Sequence, residues 1–98
     1  MPTTTFDNHE LESGTVVRDV PVAYRTWGTL DAEATNVVVV CHALTGSADA
    51  SDWWDGLIGP GRPLDTERFF VICPNVIGSP YGSLSPLTHD PATDRPYG

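Results

Sequence analysis

Residues 36–46 read Asn36-Val37-Val38-Val39-Val40-Cys41-His42-Ala43-Leu44-Thr45-Gly46. A strand with one wet face alternates apolar and polar residues, whereas four valines in a row suit a strand of a parallel sheet covered on both faces. A second such run, Phe69-Phe70-Val71-Ile72-Cys73, stops at Pro74, which has no N–H to give to a strand ladder. In open sheets of parallel strands, ligands gather at the carboxyl ends of the strands. The small, polar, glycine-containing turn after Val40 is therefore the candidate site.

The other elements follow from punctuation. Residues 1–10 are polar and read as an extended lead-in. Leu11 to Trp27 reads as a β-hairpin turned at Ser13-Gly14, with Val22, Tyr24 and Thr26 on one face and Ala23, Arg25 and Trp27 on the other. Glycine and proline are too dense between residues 43 and 63 for a long helix, leaving room for one turn at Asp52–Leu57. Asp65 is placed to cap a short turn through Arg68 by accepting backbone N–H groups. Asn75 to Gly98 is turn chemistry. The fold class is α/β: a hairpin followed by two buried parallel strands, with few helices. Such strands need more cover than this chain carries, which points to a part of a larger domain.

Charge narrows the partners. Thirteen acidic residues stand against five arginines and no lysine, a formal charge of −8. That field opposes nucleic acid and anionic lipid. No apolar stretch nears the ~20 residues that span a bilayer, and the N-terminus lacks the basic and apolar regions of a signal peptide, so a cytoplasmic setting is expected. An acidic, lysine-free composition suits a salt-rich cytoplasm, where screening relieves self-repulsion; an acidic protein from a GC-rich genome is the alternative. Cys41 and Cys73 each end an apolar run and read as buried, reduced thiols. The cysteine and histidine spacings match no zinc motif, and Asp49, Asp52 and Asp55 lack the glycine and glutamate of a calcium loop, so they read as solvated surface.

The turn after Val40 can do one kind of chemistry well. Backbone N–H groups in a tight turn at the end of a buried strand can face a developing negative charge, half of an oxyanion hole. Leu44 would act through its N–H, whatever its side chain does. Thr45 and Gly46 are candidates for substrate contact. His42 reads as a structural residue holding the turn rather than a catalytic one. Trp53 and Trp54 read as loop packing, and Asn75 as a residue satisfying loop backbone.

Five words of this sequence in order, Ala23-Tyr24-Arg25-Thr26-Trp27-Gly28-Thr29-Leu30, Cys41-His42-Ala43-Leu44-Thr45-Gly46, Trp53-Trp54-Asp55-Gly56-Leu57-Ile58-Gly59-Pro60-Gly61, Phe70-Val71-Ile72-Cys73-Pro74-Asn75-Val76 and Pro96-Tyr97-Gly98, make the chain resemble the N-terminal part of homoserine O-acetyltransferase. The resemblance implies an α/β-hydrolase fold, with residues 11–98 forming a partial domain that stops before the nucleophile elbow. It also implies a ping-pong reaction in which a serine takes acetyl from acetyl-CoA and the hydroxyl of L-homoserine removes it, with a histidine as base and an aspartate orienting it. By position, Leu44 supplies one oxyanion-hole N–H. No resident cofactor is implied, acetyl-CoA being a co-substrate, and the complete enzyme can be a homodimer. The triad is expected outside this chain, which alone is expected to be inactive; Ser47, Ser79, Ser83 and Ser85 sit on no strand–turn–helix elbow. Family members often carry Gly-Gly-Cys-Tyr-Gly where this chain has Gly78-Ser79-Pro80-Tyr81-Gly82. That departure leaves open a homoserine succinyltransferase, a serine acetyltransferase or an esterase of the same fold. A non-catalytic remnant that binds a partner is the rival from another class.

Overall fold

The computed structural model describes residues 2–98. In chain order its elements are β1 (Thr3–Glu10), β2 (Val16–Trp27), β3 (Val37–Val39), α1 (Ala50–Trp53), β4 (Ile58–Gly59), β5 (Leu64–Asp65), β6 (Phe70–Pro74), β7 (His89–Asp90) and β8 (Arg95–Pro96). The main sheet has the order β1-β2-β6-β3, and β4–β5 and β7–β8 form two short ladders.

The hairpin forms with a different first arm from the one expected. The segment read as a lead-in is β1, which pairs antiparallel with β2 from Thr3 opposite Ala23 to Glu10 opposite Val16. The Ser13-Gly14 turn stands, closed by Gly14 N–H to the Leu11 carbonyl at 2.9 Å. Polarity misled the reading: every residue of β1 is exposed, so pairing by backbone alone holds it and leaves no apolar signature. The long β2 then serves two partners, β1 along its first part and β6 antiparallel from Tyr24 to Trp27.

β3 runs parallel to β6, with Val37 opposite Phe70 and Val39 opposite Ile72, as two consecutive apolar runs require when a crossover joins them. Cover on both faces, however, is not found. Val71 and Cys73 of β6 are fully buried and Val40 nearly so, while Val37 and Val39 remain 42% and 59% exposed. One face packs on Ala50, Ile58 and the ring of Trp27. The other carries Val22, Tyr24, Thr26, Phe70 and Ile72 along a shallow groove of about 390 Å³ that no element among the described residues fills. The valine run reflects a strand apolar on both sides, of which this chain covers one.

The crossover from β3 to β6 is short on helix, as its glycines and prolines dictate. α1 forms at Ala50–Trp53, two residues ahead of the expected turn. Asp65 caps as expected: its carboxylate accepts the N–H groups of Glu67 at 3.0 Å and Gly61 at 3.1 Å. Two of the surface aspartates behave as expected, but Asp49 is half-buried and pairs with Arg25, whose guanidinium also lies 5.2 Å from the Trp27 ring centroid. Gly28, at φ 85°, ends β2 where a side chain would run into the Phe69 carbonyl oxygen.

Candidate active-site wall

Two loops leave the same end of the sheet and face each other. One follows β3 (residues 40–46) and the other follows β6 (residues 75–85). Between them lies a cavity of about 500 Å³ lined by His42, Ala43, Leu44 and Thr45 on one side and by Val76 to Tyr81 on the other. Strand β3 delivers the first loop and Pro74 ends the ladder that delivers the second.

The second loop is fastened to β2 by buried polar groups. Both backbone groups of Ala23 go to it: the Asn75 N–H donates to the Ala23 carbonyl at 2.7 Å, and the Ala23 N–H donates to Ser83 Oγ at 3.0 Å. Ser83 Oγ in turn donates to the Asn75 carbonyl at 2.5 Å. The Asn75 side chain donates to the Ser79 carbonyl at 3.3 Å, the backbone-satisfying role expected of it. This network went unread in the sequence, because serine and asparagine within a turn-rich stretch give no sign of burial. Its one signal was position, directly after a strand end.

In residues 41–46 the Gly46 amide is the only one engaged among the described residues. The Gly46 N–H donates to the Ala43 carbonyl at 2.8 Å, closing the turn, and Gly46 does not line the cavity. The amides of Cys41, His42, Ala43, Leu44 and Thr45 donate to no backbone or side-chain acceptor among the described residues. Leu44 is 95% exposed at the rim, so its side chain holds nothing in place and its N–H is available. Thr45 faces the cavity beside it.

His42 is bound at both nitrogens. Nε2 accepts the Val76 N–H at 3.0 Å, which fixes the proton on Nδ1, and Nδ1 faces the Ala43 carbonyl at 2.7 Å. A ring with both nitrogens committed to backbone is a brace and not a free base, the structural role expected of it. Trp53 and Trp54, expected to pack the loop, stack on each other at 5.9 Å and remain 40% and 51% exposed; the Trp53 indole donates to the Ser47 carbonyl at 2.9 Å, and neither lines this cavity. Cys73 is buried as expected, and burial, with Cys41 nearby as a smaller cause, pushes its thiol up. Cys41 is exposed, contrary to expectation, because the strand has already ended at Val39 and the chain is turning outward. The described residues contain no cluster of three or more His, Cys, Asp or Glu able to hold a metal.

A parallel strand pair whose carboxyl ends open into facing loops fits one part of an α/β-hydrolase fold, and the chain is similar to solved structures of that fold. Over 98% of its length the chain superposes on a homoserine O-acetyltransferase from Bacillus anthracis with a TM-score of 0.86 and 31% identity, covering 30% of that chain. Esterase E22 matches over 99% with a TM-score of 0.83 and 28% identity, 31% of its chain being covered. No family model matches the sequence. Curated relatives narrow the class: the chain is 60% identical over 96 residues to homoserine O-acetyltransferase of Salinibacter ruber, and 57% identical over 88 residues to that of Saccharomyces cerevisiae. The chain is thus similar, at 56–61% identity, to a part of homoserine O-acetyltransferase. It spans 27% and 18% of the lengths of those two relatives.

Proposed function

We propose that this chain contributes one wall of the active site of an acyltransferase that moves acetyl from acetyl-CoA to the hydroxyl of L-homoserine, the acyl transfer of methionine biosynthesis. The observation that carries the reading is the run of unengaged amides from Cys41 to Thr45 in the loop beyond β3, of which the Leu44 amide is the one that the family resemblance assigns. An amide already turned to open space by its loop needs little reorganisation when a tetrahedral intermediate places negative charge before it, and such a donor is worth on the order of 2.7–4 kcal/mol in the transition state. Thr45 contacts substrate through its hydroxyl, whereas Gly46 contributes by closing the turn. The attacking serine and its histidine and aspartate belong to polypeptide outside these residues, and the reaction proceeds without a resident cofactor.

The test joins this chain to the remaining length of the Salinibacter ruber relative and measures acetyl-homoserine formation. Leu44→Pro, which deletes the N–H, is expected to lower kcat by about 10²–10³, and Leu44→Ala, which keeps it, to stay near the parent. Full activity in the proline variant refutes the assignment, as does acetyl transfer by the 98-residue chain alone. The similarity to esterase E22 favours hydrolysis as the second reading; release of acetate with homoserine present and unmodified would establish it. The setting we infer is a salt-rich cytoplasm, supported by the charge of −8 without lysine. No helix among the described residues is long and apolar enough to cross a membrane.

A further inference from the structure

We propose that His42 is a positioning residue that aims the Leu44 N–H by holding the opposite end of the same peptide group. The proposal rests on the assignment of that amide to the oxyanion site. The Ala43 carbonyl and the Leu44 N–H belong to one peptide unit, and there is no cis peptide bond among the described residues. In a planar trans unit the two groups point in opposite directions. The Ala43 carbonyl accepts from two sides within the turn, from Gly46 N–H at 2.8 Å and from His42 Nδ1 at 2.7 Å. With the oxygen held inward, the Leu44 N–H is turned outward.

The imidazole can hold that carbonyl only because it is itself held. Its Nε2 accepts the Val76 N–H, the first amide beyond the buried Asn75, whose own N–H is anchored on β2. The path therefore runs from the β6 loop through the ring to the Ala43 oxygen, and across the peptide plane to the Leu44 N–H. No proton is transferred along it. The ring acts as a rigid neutral spacer with one donor and one acceptor.

Two measurements decide the matter. Nitrogen-15 NMR of the 98-residue chain labelled at histidine is expected to show His42 with its proton on Nδ1 and with Nε2 coupled to the Val76 amide. The opposite tautomer, or the averaged pattern of an unconstrained ring, overturns the proposal. In the joined full-length enzyme, His42→Ala is expected to lower kcat by about ten- to a hundredfold, less than outright loss of a donor because Gly46 still holds the carbonyl, with KM for acetyl-CoA unchanged. His42→Asn, whose side-chain amide can donate where Nδ1 did, should recover most of that loss. Equal losses in both variants, or a loss confined to KM, sink the proposal. If the joined enzyme transfers no acetyl at all, the functional reading fails separately. The tautomer and the exchange rate of the Leu44 amide in the two variants then still decide the brace.

Discussion

Removing one hydroxyl should loosen the whole site wall. Ser83 is almost fully buried, and its Oγ serves two backbone groups at once, the Ala23 N–H and the Asn75 carbonyl, both on fully or nearly fully buried residues. Ser83→Ala leaves both without a partner in a space shaped for an oxygen. A buried group stripped of its partner costs about 1–3 kcal/mol, so the pair amounts to about 2–6 kcal/mol against a total of roughly 5–15 kcal/mol for a small domain. At about 4–8 °C per kcal/mol for a chain of this size, even the low end lowers the midpoint by roughly 8 °C. Thermal and urea unfolding of parent and variant measure this, and hydrogen exchange at the Ala23 amide reports whether the loss sits at that contact. A change within about 0.5 kcal/mol, the range of ordinary surface substitutions, together with unchanged exchange at Ala23, would refute the reasoning.

Gly28→Ala should destabilise by about 2 kcal/mol or more, since φ 85° is unfavourable for alanine and its Cβ meets the Phe69 carbonyl; an unshifted urea midpoint contradicts this. Asp19 holds φ 51° within β2, between the paired residues Arg18 and Val20, so Asp19→Gly should stabilise by about 1 kcal/mol, and a lower midpoint would show the strain argument to be mistaken. Acid should weaken the fold through Asp31 and Asp65. The Thr35 hydroxyl and then its amide hold the Asp31 carboxyl below its ordinary 3.8, and the Glu67 and Gly61 amides do the same for Asp65. A depressed folded value means the stabilisation is complete above the ordinary value and is lost as pH falls through it toward the folded one. Urea midpoints taken from about pH 6 down to about pH 2 should show that fall, and it should be shallower in Asp31→Asn and Asp65→Asn; identical slopes in parent and variants count against these two groups.

The elements with strong local signatures could be read from the chain. The valine run, the proline that ends β6, the Ser13-Gly14 turn and the capping aspartate each act through backbone rules that hold within a few residues. The turn after Val40 was identifiable as a strand end on the same ground, because an apolar run followed by small polar residues marks a strand end wherever it occurs. β1 escaped notice because its pairing uses main-chain groups and its side chains stay in water. Asp49, just before α1, read as surface because its partner, Arg25, lies far upstream on β2.

Sequence thus determined which segments extend, where they stop and which turn could present free amides, since those follow from side-chain bulk, the missing proline N–H and the φ freedom of glycine. Only the tertiary structure decided which amides are free. Gly46 and Leu44 look alike as donors along the chain, yet one is tied to the Ala43 carbonyl and the other is turned away from it by a ring braced 34 residues downstream. Directions of N–H groups depend on peptide planes fixed by contacts between distant segments, and no local pattern of residues encodes them.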